Sequence, residues 1–199
     1  EMQRADLTAV VLQLKALGIN DILHFDFAAA PPAQTLARAL EMLYAFGALD
    51  DNANLTLPLG LQMAEFPLEP MLSKFLLSSG EFGCTKEALT VAAMLSVQNV
   101  FLPDSLSNEK SARRHYAVKE GDQLTLLNVH AAFEGSKRSP QWSAARMINH
   151  RSMKRACETR SQLAAYMEKL NMDSVSCGRE HEKLRRCITA AFFSNAARL

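Results

Sequence analysis

No stretch of this sequence approaches the roughly twenty consecutive apolar residues that cross a bilayer, because its longest apolar candidates are broken by Lys15, Glu41 or Lys74. Its first residues, Glu1-Met2-Gln3-Arg4-Ala5-Asp6, lack the charged-then-apolar order of a secretory signal. Cysteine is sparse: Cys84, Cys157, Cys177 and Cys187 lie far apart with no paired spacing. That argues against a zinc ribbon and against a disulfide framework, and predicts four free thiols. The eight glycines are scattered, and no Gly-x-x-x-x-Gly-Lys run is present to cradle phosphates through backbone amides. His181-Glu182-Lys183-Leu184-Arg185 opens like a zinc-protease helix, but Arg185 stands where the second imidazole ligand is required. The other histidines are dispersed. Neither a catalytic residue nor a metal ligand is therefore expected.

What is present is an ordinary foldable composition. The chain has 199 residues, 48% of them hydrophobic, enough to bury a sizeable core and of a length between one domain and two. It reads as soluble and intracellular, and its start at Glu1 suggests a piece of a longer protein. The net charge of +1 conceals a strong polarity. Residues 1–67 hold three Lys/Arg against eight Asp/Glu; residues 68–136 hold six against eight; residues 137–199 hold thirteen against five. One end is acidic and the other basic.

The apolar spacing predicts a mainly α protein. Leu7, Val10, Val11, Leu14 and Leu17 mark a first helix, with Asp6 as its cap and Gly18 as its stop. After a short extended piece around residues 22–27, Pro31 and Pro32 precede a second helix carrying Leu36, Ala39, Leu40, Leu43 and Tyr44, ended by Gly47. Two short strands around the turn-rich Asp50-Asp51-Asn52-Ala53-Asn54 follow, making a small β-hairpin. Helices followed by a hairpin suit a winged helix over residues 1–67. Pro67 and Pro70 mark the boundary. Residues 68–199 read as a helical bundle, with Thr85, Asp122 and Ser152 as candidate caps, an irregular polar stretch over 102–120 and a last helix over about 180–197.

Two polar groups stand out. Residues 137–160 carry Arg146, Arg151, Lys154, Arg155 and Arg160 beside Asn149, His150 and Trp142. Such cations neutralise phosphates, and Trp or His can stack on unpaired bases. The plainer reading, a solvated helix face with Trp142 in the core, is favoured by composition alone. Ser96-Val97-Gln98-Asn99 interrupts an apolar helix. Its amides suit base edges or phosphates of single-stranded RNA, although such residues more often simply end a helix.

Particular strings bear on that choice. Leu12-Gln13-Leu14-Lys15-Ala16-Leu17-Gly18-Ile19, Phe25-Asp26-Phe27, Pro31-Pro32 and Leu43-Tyr44-Ala45-Phe46-Gly47-Ala48-Leu49 resemble the winged helix of DEAH-box RNA helicases. The similarity continues through Leu57-Pro58-Leu59-Gly60, Phe66-Pro67-Leu68-Glu69-Pro70, Met94-Leu95-Ser96-Val97-Gln98-Asn99-Val100-Phe101, Gly121-Asp122-Gln123-Leu124-Thr125-Leu126-Leu127-Asn128 and Phe192-Phe193-Ser194-Asn195-Ala196-Ala197. Nearly the whole chain is covered, and the pre-mRNA splicing branch is the most similar. Gln123 stands where the family usually has His, His130 where it has Tyr, and Ser143 where Cys commonly follows the Trp.

The resemblance implies a winged helix and a helical ratchet domain, placed after two motor domains and before an oligonucleotide-binding fold. Glu1-Met2-Gln3-Arg4 resembles the tail of the second motor domain. ATP and Mg belong to those motor domains, so this segment should bind neither and be inactive alone. Its implied role is to clamp single-stranded RNA during ATP-driven translocation, in a nuclear, spliceosomal setting without membranes. Ser96, Gln98, Asn99, Arg146, Arg151 and Arg155 become the RNA-contact candidates. The acidic winged helix would repel phosphates, and the resemblance suggests a glycine-rich activator peptide, the G-patch, as its partner. The alternative is a noncatalytic nucleic-acid-binding or scaffold module unconnected to a motor. A free-standing winged-helix DNA reader should carry its cations on the winged helix, and here they lie at the opposite end.

Overall fold

In the computed structural model, which describes residues 7–102 and 112–197, helices form where apolar residues recur three and four apart. The chain divides into two compact units, Glu1–Ser78 with Ile188–Leu199, and Ser79–Cys187.

In the first unit, α1 (Thr8–Ala16), α2 (Ala33–Ala45), α3 (Leu59–Glu65) and α4 (Pro70–Ser78) follow one another. The expected Asp6 cap lies outside the described residues. Gly18 ends the first helix in the left-handed region, with φ 87°, and its N–H donates to the Lys15 carbonyl. Pro32 occupies the N-cap position of α2, and Gly47, at φ 77°, follows its end. The apolar faces meet in one core of Leu7, Val11, Leu12, Leu36, Leu43 and Met63 with their neighbours, each such side chain contributing about 1.5–3 kcal/mol on burial. Lys15 lies on the buried face, where its Nζ donates to the Asn20 carbonyl at 2.7 Å. Gln13 Nε2 donates to the Ala64 carbonyl and so fastens α1 to the end of α3.

The expected β-hairpin does not form. Among the described residues, Leu49 and Leu55 make a single antiparallel bridge. The turn itself is well specified: Asp50 Oδ1 accepts from the N–H groups of Asn52 and Asn54, and Ala53 takes φ 57°. The ladder stops because the chain beyond Thr56 is committed elsewhere. Thr56 Oγ1 donates to the Gly47 carbonyl and accepts from Gly60 N–H at the start of α3, and Pro58 between them has no N–H to offer. Gly60 has to be glycine, since a Cβ there would lie 2.3 Å from the Ala48 carbonyl oxygen.

The second unit is built on α5 (Thr85–Leu95), which packs against α7 (Asp122–Gly135) and α9 (His150–Lys169), with α6 (Ala112–Tyr116) and α8 (Pro140–Ala145) as short connectors. The helix α10 (His181–Ala191) buries Leu184, Cys187 and Ala191. Several boundaries depart from the sequence reading. The cap of α5 is Cys84, and Thr85 bonds instead to the Asp173 and Val175 carbonyls. Gly121, with φ 123°, takes the position before α7, so the expected cap Asp122 is the first residue of the helix. Asn149 caps α9 by accepting from Ser152 N–H, so Ser152 falls inside the helix. The stretch expected to be irregular contains α6, and its residues 103–111 lie outside the described residues. The last helix stops at Ala191 and gives way to a 3-10 turn over Phe193–Asn195.

Candidate nucleic-acid interface

The end of α5 and the start of α9 are separated by 54 intervening residues, yet a short backbone ladder holds them together in the second unit. Asn149 N–H donates to the Val100 carbonyl at 2.8 Å, Leu102 N–H donates to the Met147 carbonyl at 3.0 Å, and Phe101 pairs with Ile148 in an antiparallel bridge. Val100, Ile148 and Met153 anchor it from below in a core shared with Met94, Val129 and Phe133. Met147 takes the left-handed conformation at φ 52°, a strained state for a side-chain-bearing residue that turns the chain from α8 into α9.

This ladder ties together the two chain segments that carry the polar groups singled out in the sequence. Ser96 is the C-cap of α5, exposed, with its hydroxyl turned back onto the Ala93 carbonyl; in that respect the helix-ending reading describes it well. Gln98 and Asn99 lie in the segment that follows, and Asn99 is exposed. Asn99 precedes Val100, the residue bonded to the α9 cap. A depression of about 230 Å³ opens beside it, lined by Leu95, Asn99, Phe101, Arg113, Asp122 and Leu126 among others. Within it Arg113 donates to Asp122 at 2.6 Å, a pair that raises the guanidinium pKa further above its already high value.

On the other side, Arg146, Arg151 and Arg155 are all exposed. Arg146 Nη1 donates to His115 Nε2 at 3.1 Å. Arg151 and Arg155 are one turn apart on α9, and Lys154 shares their exposed face by its three-residue spacing from Arg151. Arg151, Lys154 and Arg155 are in no ion pair among the described residues. They stand at the N-terminal end of a 20-residue helix, where backbone N–H groups and the helix dipole add to the attraction for anions. Trp142 is half-buried, packing on Phe133 and Tyr116 at centroid distances of 6.1 and 6.4 Å. His150 is fixed by the contact of its Nδ1 with Ser143 Oγ at 3.2 Å, and the same hydroxyl lies 3.1 Å from the Ser139 carbonyl. Arg160 is turned away from this face and donates to Thr90 Oγ1 on α5 at 2.9 Å.

The surface thus offers amide groups from one segment, three cations unpaired among the described residues from another, and a helix N-terminus. That is chemistry for gripping a polyanion. Lys154 belongs to it by helical spacing, which the sequence already contained; the placement of Asn99 near the α9 cap depends on a long-range ladder that no local pattern encodes.

Comparison with known proteins identifies the domains. Residues 39–68 match the family described as helicase associated domain (HA2), winged-helix, and residues 69–162 match helicase associated domain (HA2), ratchet-like. The chain is 46% identical over its full length to the probable ATP-dependent RNA helicase DHX35 of Pongo abelii and 45% identical to that of Homo sapiens, spanning 28% of the length of each. It is 44% identical over its full length to the pre-mRNA-splicing factor ATP-dependent RNA helicase prp22 of Schizosaccharomyces pombe, spanning 17% of that protein.

Proposed function

Since the chain belongs to the DEAH-box RNA helicases, as their HA2 winged-helix and ratchet region, we propose that its second unit clamps single-stranded RNA while motor domains elsewhere in the parent protein hydrolyse ATP. The observation that carries this reading is the ladder between Val100 and Asn149, which sets polar amides beside unpaired cations. The contact set is Ser96, Gln98, Asn99, Arg146, Arg151 and Arg155, with Lys154 added from its position. Gln98 and Asn99 present donors and acceptors to bases or phosphates, while Arg151, Lys154 and Arg155 neutralise the backbone. ATP and Mg bind in the motor domains, and an oligonucleotide-binding fold completes the parent. The functional division falls at residues 67 and 68. The splicing factor among its relatives supports a place in the spliceosome and hence in the nucleus.

The test is RNA binding by the intact protein across salt concentrations. Replacing Arg151 and Arg155 together by Ala should weaken binding to single-stranded RNA and reduce the slope of log affinity against log salt by about 1.4, roughly 0.7 for each single-strand phosphate that is no longer neutralised. An unchanged slope would remove these residues from the interface.

The winged helix has a different task, docking a protein activator of the glycine-rich G-patch kind. Residues 1–67 are acidic, and Leu17 and Leu57, each 77% exposed, present apolar surface that RNA does not need. Leu57→Asp should abolish stimulation by such an activator while leaving RNA-dependent ATP hydrolysis without it unchanged. Stimulation equal to that of the parent would count against docking at this surface.

A further inference from the structure

Away from the RNA-gripping face, α7 and α9 bring together three side chains that the clamp does not use. His130 and Glu134 are one turn apart on α7, and Cys157 faces them from α9. Cys157 Sγ lies 3.4 Å from Glu134 Oε1 and 3.8 Å from His130 Nε2, and Nε2 lies 3.8 Å from Oε1. His130 and Cys157 are buried, and the Glu134 side chain is 39% exposed. We propose that His130 Nε2, Glu134 Oε1 and Cys157 Sγ form a binding site for a zinc-like divalent cation that fastens α9 to α7.

The geometry fits the ion without rearrangement. Tetrahedral bonds of about 2.0–2.3 Å place neighbouring ligand atoms about 3.3–3.8 Å apart. For the three observed separations, the in-plane point equidistant from all three atoms lies about 2.1 Å from each, and an ion raised about 0.7 Å from that plane toward a fourth ligand lies about 2.2 Å from each, close to zinc's bonding distances to nitrogen, oxygen and sulfur. The donor set selects the metal: a thiolate and an imidazole favour Zn²⁺ over Mg²⁺ or Ca²⁺, which require oxygen. The half-exposed side of Glu134 leaves the fourth position to water.

Charge and orientation are consistent with it. Arg138 donates from Nε to both carboxylate oxygens of Glu134, at 3.1 and 3.2 Å, and its Nη2 lies 3.0 Å from Oε1, holding the carboxylate in place as an outer partner does. Arg138 and Arg160 also face His130 electrostatically and oppose a further cation. The site meets this by binding as thiolate and carboxylate, whose two negative charges cancel the dication. Burial keeps the imidazole towards its neutral, ligating form and keeps the thiol protonated, with its pKa pushed up to about 11. Binding therefore breaks the S–H bond, forms one S–metal bond and releases one proton to solvent, with no change of oxidation state.

Cobalt reports the site directly. The intact protein, stripped with a chelator and dialysed, is titrated with Co²⁺ in parallel with its Cys157→Ser and His130→Gln variants, whose folding is checked by circular dichroism. The parent should gain a thiolate-to-cobalt charge-transfer band and the strong visible bands of tetrahedral cobalt, both discharged by Zn²⁺, and each variant should lose them. Metal analysis should find one less equivalent of zinc in each variant, and added Zn²⁺ should raise the melting temperature of the parent alone. No band in the parent, or a band retained in either variant, overturns the proposal. The readout is independent of RNA binding, so the clamp and the metal site stand or fall separately.

Discussion

At the scale of single residues, the most constrained position is Gly60. Its missing side chain allows the first turn of α3 to rest against the Ala48 carbonyl, where a Cβ would sit at 2.3 Å. Gly60→Ala should therefore destabilise the protein by about 1–3 kcal/mol through forced backbone displacement, even though alanine is the better helix former. Equilibrium denaturation by urea measures this; a stabilised variant would show that α3 shifts without strain. The residues of the proposed RNA-gripping face behave oppositely. Arg151, Lys154 and Arg155 are solvated and unpaired among the described residues, so their removal should cost affinity and leave stability within about 0.5 kcal/mol.

At the scale of elements, an acidic side chain joins Thr85 in holding the segment after α9. Glu87, in the first turn of α5, accepts from Ser176 Oγ and from Cys177 N–H. Burial opposes its ionisation, but these donors prevail and hold its pKa below the usual 4.5. A carboxylate with a depressed folded-state pKa contributes stability that is complete above the unfolded value and fades as pH falls through the folded one. Glu87→Gln should cost about 0.5–1 kcal/mol near neutral pH, discounted for its partial exposure. That difference should shrink below about pH 4.5. Denaturation of both proteins over this range checks it, and a pH-independent difference would assign the effect to packing.

Helix existence is legible in the sequence because Leu36, Leu43 or Leu89 and Ala92 repeat at helical spacing. Helix starts are less so. Thr85, Asp122 and Ser152 are good capping residues, but tertiary partners decide otherwise: Thr85 is bound by the loop at 173–175, and Asn149 takes the cap of α9 because Val100 holds its backbone. The hairpin fails although its turn chemistry is correct, since Pro58 and Thr56 end the pairing after one bridge. The groups proposed to contact RNA are visible as composition, and the ladder that joins their segments is not. Cys157, His130 and Glu134 give no signal for the same reason, being drawn from two helices with no motif spacing between them.

At the scale of the whole molecule, the first unit is discontinuous: residues from Ile188 onward return to it after the second unit has been completed. Phe192 packs edge-to-face on the fully buried Phe75, with ring centroids 5.6 Å apart, and Phe193 packs on Phe46 at 5.5 Å. These contacts are aromatic and specific. Phe192→Ala should lower the stability of the first unit by about 1–3 kcal/mol, less than a fully buried phenylalanine because Phe192 is only half-buried. Hydrogen exchange can localise the effect: amides of α4 should exchange faster while those of α5 and α9 keep their protection, and a uniform acceleration would mean that the two units unfold as one.

The return of residues 192–193 to the first unit also sets an order of events at the ribosome. Glu1–Ser78 emerges before Ser79–Cys187, but the aromatic closure of the first unit waits for the whole of that second segment to be translated, a delay of roughly 5–20 s at ordinary elongation rates. During that interval Phe75 and Phe46 lack their final partners. The nascent chain therefore holds the whole of its second unit before its first unit can close.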